Sequence, residues 1–392
     1  MSERTIDVAI VGGAAMGSST AFFLKRELGF PGSVLVIERD PTYTRASTSL
    51  SASGIRLQYS TPENIRMSAF GVEFLKGMRE RFGPESNAGF KEGGYLVMAG
   101  PDGRDLLEEN VAIQRREGAD TELYAAAELA QRFPWLNPEG LSAGAFGPNR
   151  EGWYDPQALL GTYRRQARAS GAEYLTGEVT AIERAGDKVE AVRLGDGTRI
   201  ACGAVVNAAG PNAGRVAALA GVPLPVEGRK RTVFVVDCRQ RPDDLPLCAD
   251  PSGVWLRPEG AFAITGCAPA EEDDRAADPN DFEPDYADFE ERLWPALAHR
   301  IPAFEATKVV RAWAGHYDYN TLDQNGIIGR HPEIANLYFI NGFSGHGLQQ
   351  SPAAGRAIAE LIVHGKFKSI DLTRMGYERV ARNEPLFEVN VI

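Results

Sequence analysis

The first apolar run of the chain, Asp7-Val-Ala-Ile-Val11, has no polar alternation and ends at Gly12-Gly13. An unbroken run of this kind followed by glycines predicts a strand buried on both faces that runs into a tight turn. From Gly17 to Leu28 the spacing changes to that of a helix, with Ala21, Leu24 and Leu28 on one face and Gly29 and Pro31 as the stop. Ser33-Val-Leu-Val-Ile37 is a second buried strand that ends at Glu38. Strand, helix and strand in this order predict a βαβ unit.

Residues 62–82 carry apolar positions at helical spacing through Phe70, Phe74 and Met78, with Pro62 just inside the start and Thr61 as the expected N-cap. Tyr154-Asp155-Pro156 opens another helix that ends by Gly171, and strand-like pieces follow it. Ile200 to Asn207 reads as a strand running into Ala208-Ala-Gly210-Pro211, a second turn that exposes backbone. Between Val226 and Trp313, alternating runs such as Thr232-Val-Phe-Val-Val236 predict antiparallel sheet, and the acidic stretch from Glu271 to Pro284 reads as an exposed connection. A last helix is expected from about Pro352 to Val363, with Ser351 as N-cap, Pro352 at the first position and Gly365 past the end.

No internal repeat interrupts this order. It predicts an α/β fold: a Rossmann-type dinucleotide-binding domain built from residues 1–85, 145–225 and 318–392, with an inserted α+β domain carrying antiparallel sheet, residues 86–144 and 226–317, for substrate.

Composition narrows the partners. A chain of 392 residues fits two domains. The net charge of −11 argues against nucleic acid, since phosphate binding relies on clustered Lys and Arg. Arg229-Lys230-Arg231 is the nearest thing to a basic patch and reads as a solvated turn. The four cysteines are widely spaced and no His cluster has metal-ligand spacing, so idle thiols and no metal are expected. No apolar stretch suffices for a transmembrane segment, and the start, Met1 to Val8, runs straight into a strand without a leader; a cytoplasmic protein is expected.

The candidate chemistry lies in the turns. A pyrophosphate needs backbone N–H groups at close range and a favourable dipole, which a strand, a glycine turn and a helix N-terminus supply together. Gly12-Gly-Ala-Ala-Met-Gly17 has that context, departing from G-x-G-x-x-G at Ala14, where a methyl narrows the approach of the phosphates. Glu38 is placed to accept hydrogen bonds from an adenosine ribose and would repel a 2′-phosphate, which disfavours NADP. This fingerprint alone does not separate FAD from NAD. Arg45 to Arg56 is rich in hydroxyls and small residues, and Asn341-Gly-Phe-Ser-Gly-His-Gly347 sets glycines before a capped helix. Aimed at the pyrimidine edge of a flavin, such a helix start would stabilise the negative charge that builds there on reduction.

With these segments in view, the chain resembles the D-amino acid oxidase and sarcosine oxidase superfamily, in particular sarcosine oxidases and dimethylglycine dehydrogenase. The likeness covers nearly the whole length: the fingerprint, Ile55 to Glu63, Val205 to Pro211, Gly253 to Gly260, Ala314 to Tyr317 with Thr321 to Asp323, and Gly342 to Gly347. It implies FAD contacts in the fingerprint (Gly12, Gly13, Ala14, Ala15, Met16 and Gly17), at Glu38 and Arg39, and in the hydroxyl-rich loop at Ser47, Thr48, Ser53 and Gly54. Further contacts are implied at Val179, at Ala209 and Gly210, and at Gly345, His346, Gly347, Leu348 and Gln349. It also implies that Arg56 holds a substrate carboxylate and that Tyr317 lines the substrate pocket. Beside it His316, like Tyr317, could line the pocket or bond the amine.

Three departures shape the expectation. Gly315 stands where one relative links flavin to a cysteine, and approximately Ser51 where another uses a histidine, so noncovalent FAD is expected. Gln349 replaces a lysine that shares the carboxylate in sarcosine oxidase, and no lysine falls between Phe262 and Gly266, where the resemblance places one for oxygen activation. The expected function is oxidation of the C–N bond of a small amino acid or N-alkyl amino acid, with O2 or a redox partner as electron acceptor. Rivals are an NAD-dependent dehydrogenase, which has no need of the Gly-His-Gly turn, and a flavin-bound assembly or interaction protein without turnover, against which Arg56 argues. A tRNA-modifying oxidoreductase conflicts with the acidic balance.

Overall fold

The computed structural model describes residues 4–270 and 272–389, so Met1 to Glu3, and Glu271 in the acidic stretch, lie outside the described residues. The first sheet is built around Arg4–Val11, which pairs in parallel with Val34–Glu38 on one side and Arg199–Asn207 on the other. Ala172–Thr176 and Leu337–Asn341 extend it in parallel, and Ile327–Arg330 adds an antiparallel edge. A hairpin, Val179–Ala185 with Lys188–Leu194, joins antiparallel to Arg199–Asn207.

The unbroken apolar run has a direct structural reason. Val8 and Ile10, with Val34 and Val36, face the helices Ala15–Phe22, Pro62–Phe82, Pro156–Ala169 and Gly347–His364. Ala9 and Val11, with Leu35 and Ile37, face the hairpin and the helix Ala213–Ala218. Both faces are covered, so neither tolerates polar alternation.

The second sheet runs in the order Thr307–Asn320, Val226–Cys238, Phe262–Cys267, Val254–Glu259, Leu247–Ala249, Tyr95–Ala99, Ala143–Gly147, Glu122–Ala125. Its pairs are antiparallel except where Leu247–Ala249 meets Tyr95–Ala99. One face packs on Leu129, Phe133, Leu293, Leu297 and Phe304. The other looks toward the first sheet across a deep cleft. No helix among the described residues is long and apolar enough to cross a membrane.

Several sequence expectations are corrected here. The last helix begins at Gly347, not Pro352, so Ser351 is no N-cap: its carbonyl accepts from the Ser19 hydroxyl at 2.7 Å and its hydroxyl lies 3.3 Å from that of Tyr163. Pro352 sits inside the helix, where its missing N–H gives up one helical hydrogen bond. The first helix starts at Ala15, with Ala14 in the cap position. Thr61 makes no side-chain cap. Instead the Glu388 carboxylate accepts from Ser60 N at 2.5 Å, Thr61 N at 3.2 Å and Asn64 Nδ2 at 2.8 Å. Arg229-Lys230-Arg231 is not a turn but the middle of a strand, neutralised by acids: Arg229 by Glu227, Lys230 by Asp281 and Arg231 by Asp274.

Candidate active site

The first glycine turn is shaped by backbone contact. Gly12 has φ +102, and a Cβ there would lie 2.3 Å from the Ala208 carbonyl oxygen. A Cβ on Gly17 would lie 1.8 Å from the Gly12 carbonyl oxygen. Both positions admit hydrogen only, which lets strand, turn and helix start press together. Ala14, by contrast, has φ −71, an ordinary value for any L-residue, so its methyl costs the turn nothing. The Glu38 carboxylate braces the turn by accepting from Gly13 N at 2.7 Å and Asp40 N at 2.9 Å, and the Thr48 hydroxyl accepts from Ala15 N at 3.1 Å.

The turn opens on a cleft of about 990 Å³, at the upper end of small-molecule sites. Of the residues expected to touch the cofactor, Gly13 and Gly17 lie behind the cleft wall and all the others line it, from Gly12 and Glu38 through Ser53 and Val179 to Gly345 and Gln349. Two helix starts, at Ala15 and at Gly347, bring amide groups and positive dipole ends to the same cavity. Ser47 donates to the His316 carbonyl at 2.6 Å, tying the hydroxyl-rich loop to the second sheet.

The far end of the cleft is organised by the strand Thr307–Asn320. Asp318 Oδ2 accepts from Gly342 N at 2.9 Å and Phe343 N at 3.2 Å, which fixes the glycine turn; burial pushes this carboxyl up to about 6. Tyr317 packs on Gly345, where a Cβ would come within 2.6 Å of its ring. His346 is half-buried, and desolvation, together with Arg56, lowers its imidazole to about 3, so it is neutral.

Arg56 stands beside it, 8% exposed. Its Nε donates to Gln58 O at 3.1 Å, one terminal nitrogen donates to the Tyr95 hydroxyl at 3.2 Å, and the other lies 3.4 Å from His346 Nε2. The guanidinium stacks 4.7 Å from the Tyr59 ring centre and 5.4 Å from that of Tyr95. No carboxylate of the described residues forms an ion pair with it, unlike Arg231, which Asp274 holds bidentately at 2.7 and 2.8 Å.

The other expected site residues are placed as follows. Gln349 turns its amide oxygen to Arg56 N at 2.9 Å, so it holds the backbone of the arginine. His316 stacks on Phe282 with ring centres 4.5 Å apart, and its Nε2 lies 2.7 Å from Asp281 O. The acidic stretch, expected as an exposed connection, also reaches back over the cleft, and Ala276, Ala277, Pro279 and Phe282 line it. A Cβ at Gly315 would point at Leu50 Cβ, 2.8 Å away. Tyr95 and Asp318 escaped sequence reasoning because neither sits in a motif, and the roles of Tyr59 and Arg231 were not assigned; all four roles arise from pairing between distant segments. Among the described residues no cluster of His, Cys, Asp or Glu has the form of a metal site.

The comparisons agree with this architecture. The FAD dependent oxidoreductase (DAO) profile matches residues 7–361. The chain is 44% identical to FAD-dependent oxidoreductase domain-containing protein 1 of Xenopus laevis, over 98% of this chain and 85% of that protein. It is 28% identical to sarcosine oxidase subunit beta of Rhizobium meliloti, over 92% of this chain and 85% of that one. Among solved structures, L-proline dehydrogenase from P. horikoshii superposes with a TM-score of 0.86 at 27% identity, covering 98% of this chain and all of the other. With its βαβ fingerprint, its second glycine turn and its two-sheet cleft matched along nearly their whole length, the chain belongs to the DAO family of FAD-dependent oxidoreductases.

Proposed function

We propose that this protein oxidises the C–N bond of a small amino acid or N-alkyl amino acid. The observation that carries the reading is Arg56, a buried cation in the cofactor cleft without a carboxylate partner among the described residues. A guanidinium carries five N–H donors. One goes to Gln58, one to Tyr95 and one toward His346, which leaves one N–H on each terminal nitrogen. Two such donors suit the two oxygens of a carboxylate.

The cradle fits FAD. Gly12 and Gly17 keep the backbone bare, two helix starts supply amides, and Glu38, Ser47 and Ser53 offer polar groups along one cavity. When bound, FAD supplies a two-electron acceptor for a hydride equivalent from the carbon beside nitrogen. The chain's own work is orientation: Arg56 fixes the acid group, Tyr317 and the glycine turn bound the space beyond it, and the resulting imine is hydrolysed by water. His346 accepts from Arg56 through Nε2, so its proton sits on Nδ1, and as a neutral group it adds no charge to compete with the guanidinium.

In this reading residues 1–85, 145–225 and 318–392 form the cofactor unit, and 86–144 and 226–317 close over the substrate. FAD is held noncovalently, since position 315 carries no thiol and is packed against Leu50. Electrons leave to O2 or to a redox partner.

The purified protein is expected to be yellow, and one or more amino acids or N-methyl amino acids should bleach it anaerobically. A colourless sample that stays so with added FAD, or a flavin that no such compound bleaches, overturns the reading.

A further inference from the structure

We propose that Glu151 is the positioning residue of the anion site: its carboxylate staples together the two segments that carry Arg56 and Tyr95. This rests on the assignment of Arg56 as the carboxylate holder. Glu151 is 1% exposed and does not line the cleft. It forms no ion pair among the described residues, yet both its oxygens are used. One accepts from Leu57 N at 2.8 Å, the other from Gln58 Nε2 at 2.7 Å.

The same Gln58 amide donates to Tyr95 O at 2.8 Å, and Gly94 N donates to the backbone carbonyl of Glu151 at 3.1 Å. The carbonyl of Gln58 in turn takes the Nε proton of Arg56. Thus one buried side chain sets the backbone on the far side of Arg56, while Gln349 sets the near side. The fold makes room for it: a Cβ at Gly147 would lie 2.2 Å from the Glu151 carboxylate. Burial pushes its carboxyl up to about 7, against the two donated hydrogen bonds that favour the anion.

Such a group is costly to bury unless its oxygens are needed in that place. A neutral amide there would keep one accepting oxygen and turn its NH2 group toward the second of two groups that both donate, and the conflict would fall on residues 56–58. The chemistry of the pocket would be unchanged, but the fork would be misaimed.

The test is a titration of the FAD-loaded protein with benzoate, a simple monocarboxylate, followed by the perturbation of the flavin spectrum well above neutrality. Glu151→Gln should weaken benzoate about tenfold, the loss of one charge-assisted hydrogen bond, while FAD binding is kept. In turnover the same variant should raise KM with kcat nearly unchanged, and Glu151→Asp should recover part of the loss. A folded, FAD-loaded Glu151→Gln that binds benzoate as the parent does overturns the proposal. If that variant does not fold, Gln58→Met decides on the same criterion, because it removes the side-chain bridge to Tyr95 and leaves Glu151 in place. Arg56→Ala separates the two ideas: if it abolishes benzoate binding while Glu151→Gln does not, only the positioning role falls, and if it leaves binding intact, both fall.

Discussion

At the residue scale the site depends on keeping one cation bare and its neighbour neutral. Arg56→Lys keeps the charge and loses the planar fork, so carboxylate affinity should drop by about tenfold or more with FAD retained, as read by spectral titration. His346 gives a pH signature. Its folded state refuses a proton down to about 3, whereas the unfolded chain takes one near the ordinary 6.5. Below that ordinary value the unfolded state therefore binds more protons, and this group lowers stability as pH falls. His346→Gln should flatten the acid limb of stability measured by urea unfolding between these two values; an unchanged limb would show that the imidazole is already protonated in the fold.

At the element scale, helix starts carry the structure's main surprises. Ser60, Thr61 and Asn64, at the start of their helix, are tied by Glu388 from more than three hundred residues away in sequence, so Glu388→Ala should cost about 1 kcal/mol, seen as a lower urea midpoint. The sequence could not show this, because the local reading finds Thr61 and stops. The last helix is a similar case. Ser351-Pro352 has the form of a cap and first residue, and that local signal lost to glycines five residues earlier, which allow the helix to start against Met16 and Phe343. Gly17→Ala, whose new methyl would meet the Gly12 carbonyl, should prevent FAD retention or folding altogether, checked by the flavin-to-protein absorbance ratio.

At the scale of the whole molecule, the legible parts were those with a local cause. The βαβ unit shows in period and glycine spacing, and both-face burial explains why its strands read as unbroken apolar runs. What was hidden is what distant segments make together: Tyr95 against Arg56, Asp318 beneath the glycine turn, and the acidic stretch folded over the cleft by Asp274 and Asp281. The basic run failed for the same reason, since the acids that hold Lys230 and Arg231 lie some forty to fifty residues away in sequence. FAD held without a covalent link should pass entirely through a filter that retains acid-denatured protein; colour left with the polypeptide would contradict that attachment.

The first sheet takes its strands from both ends of the described chain and from its middle, and the strand Leu337–Asn341 leads into the helix start at Gly347. A ribosome must therefore translate through Gly347 before the second helix start of the cleft exists. Loading of the dinucleotide should consequently wait for that segment, and a fragment that stops short of it should not load by itself.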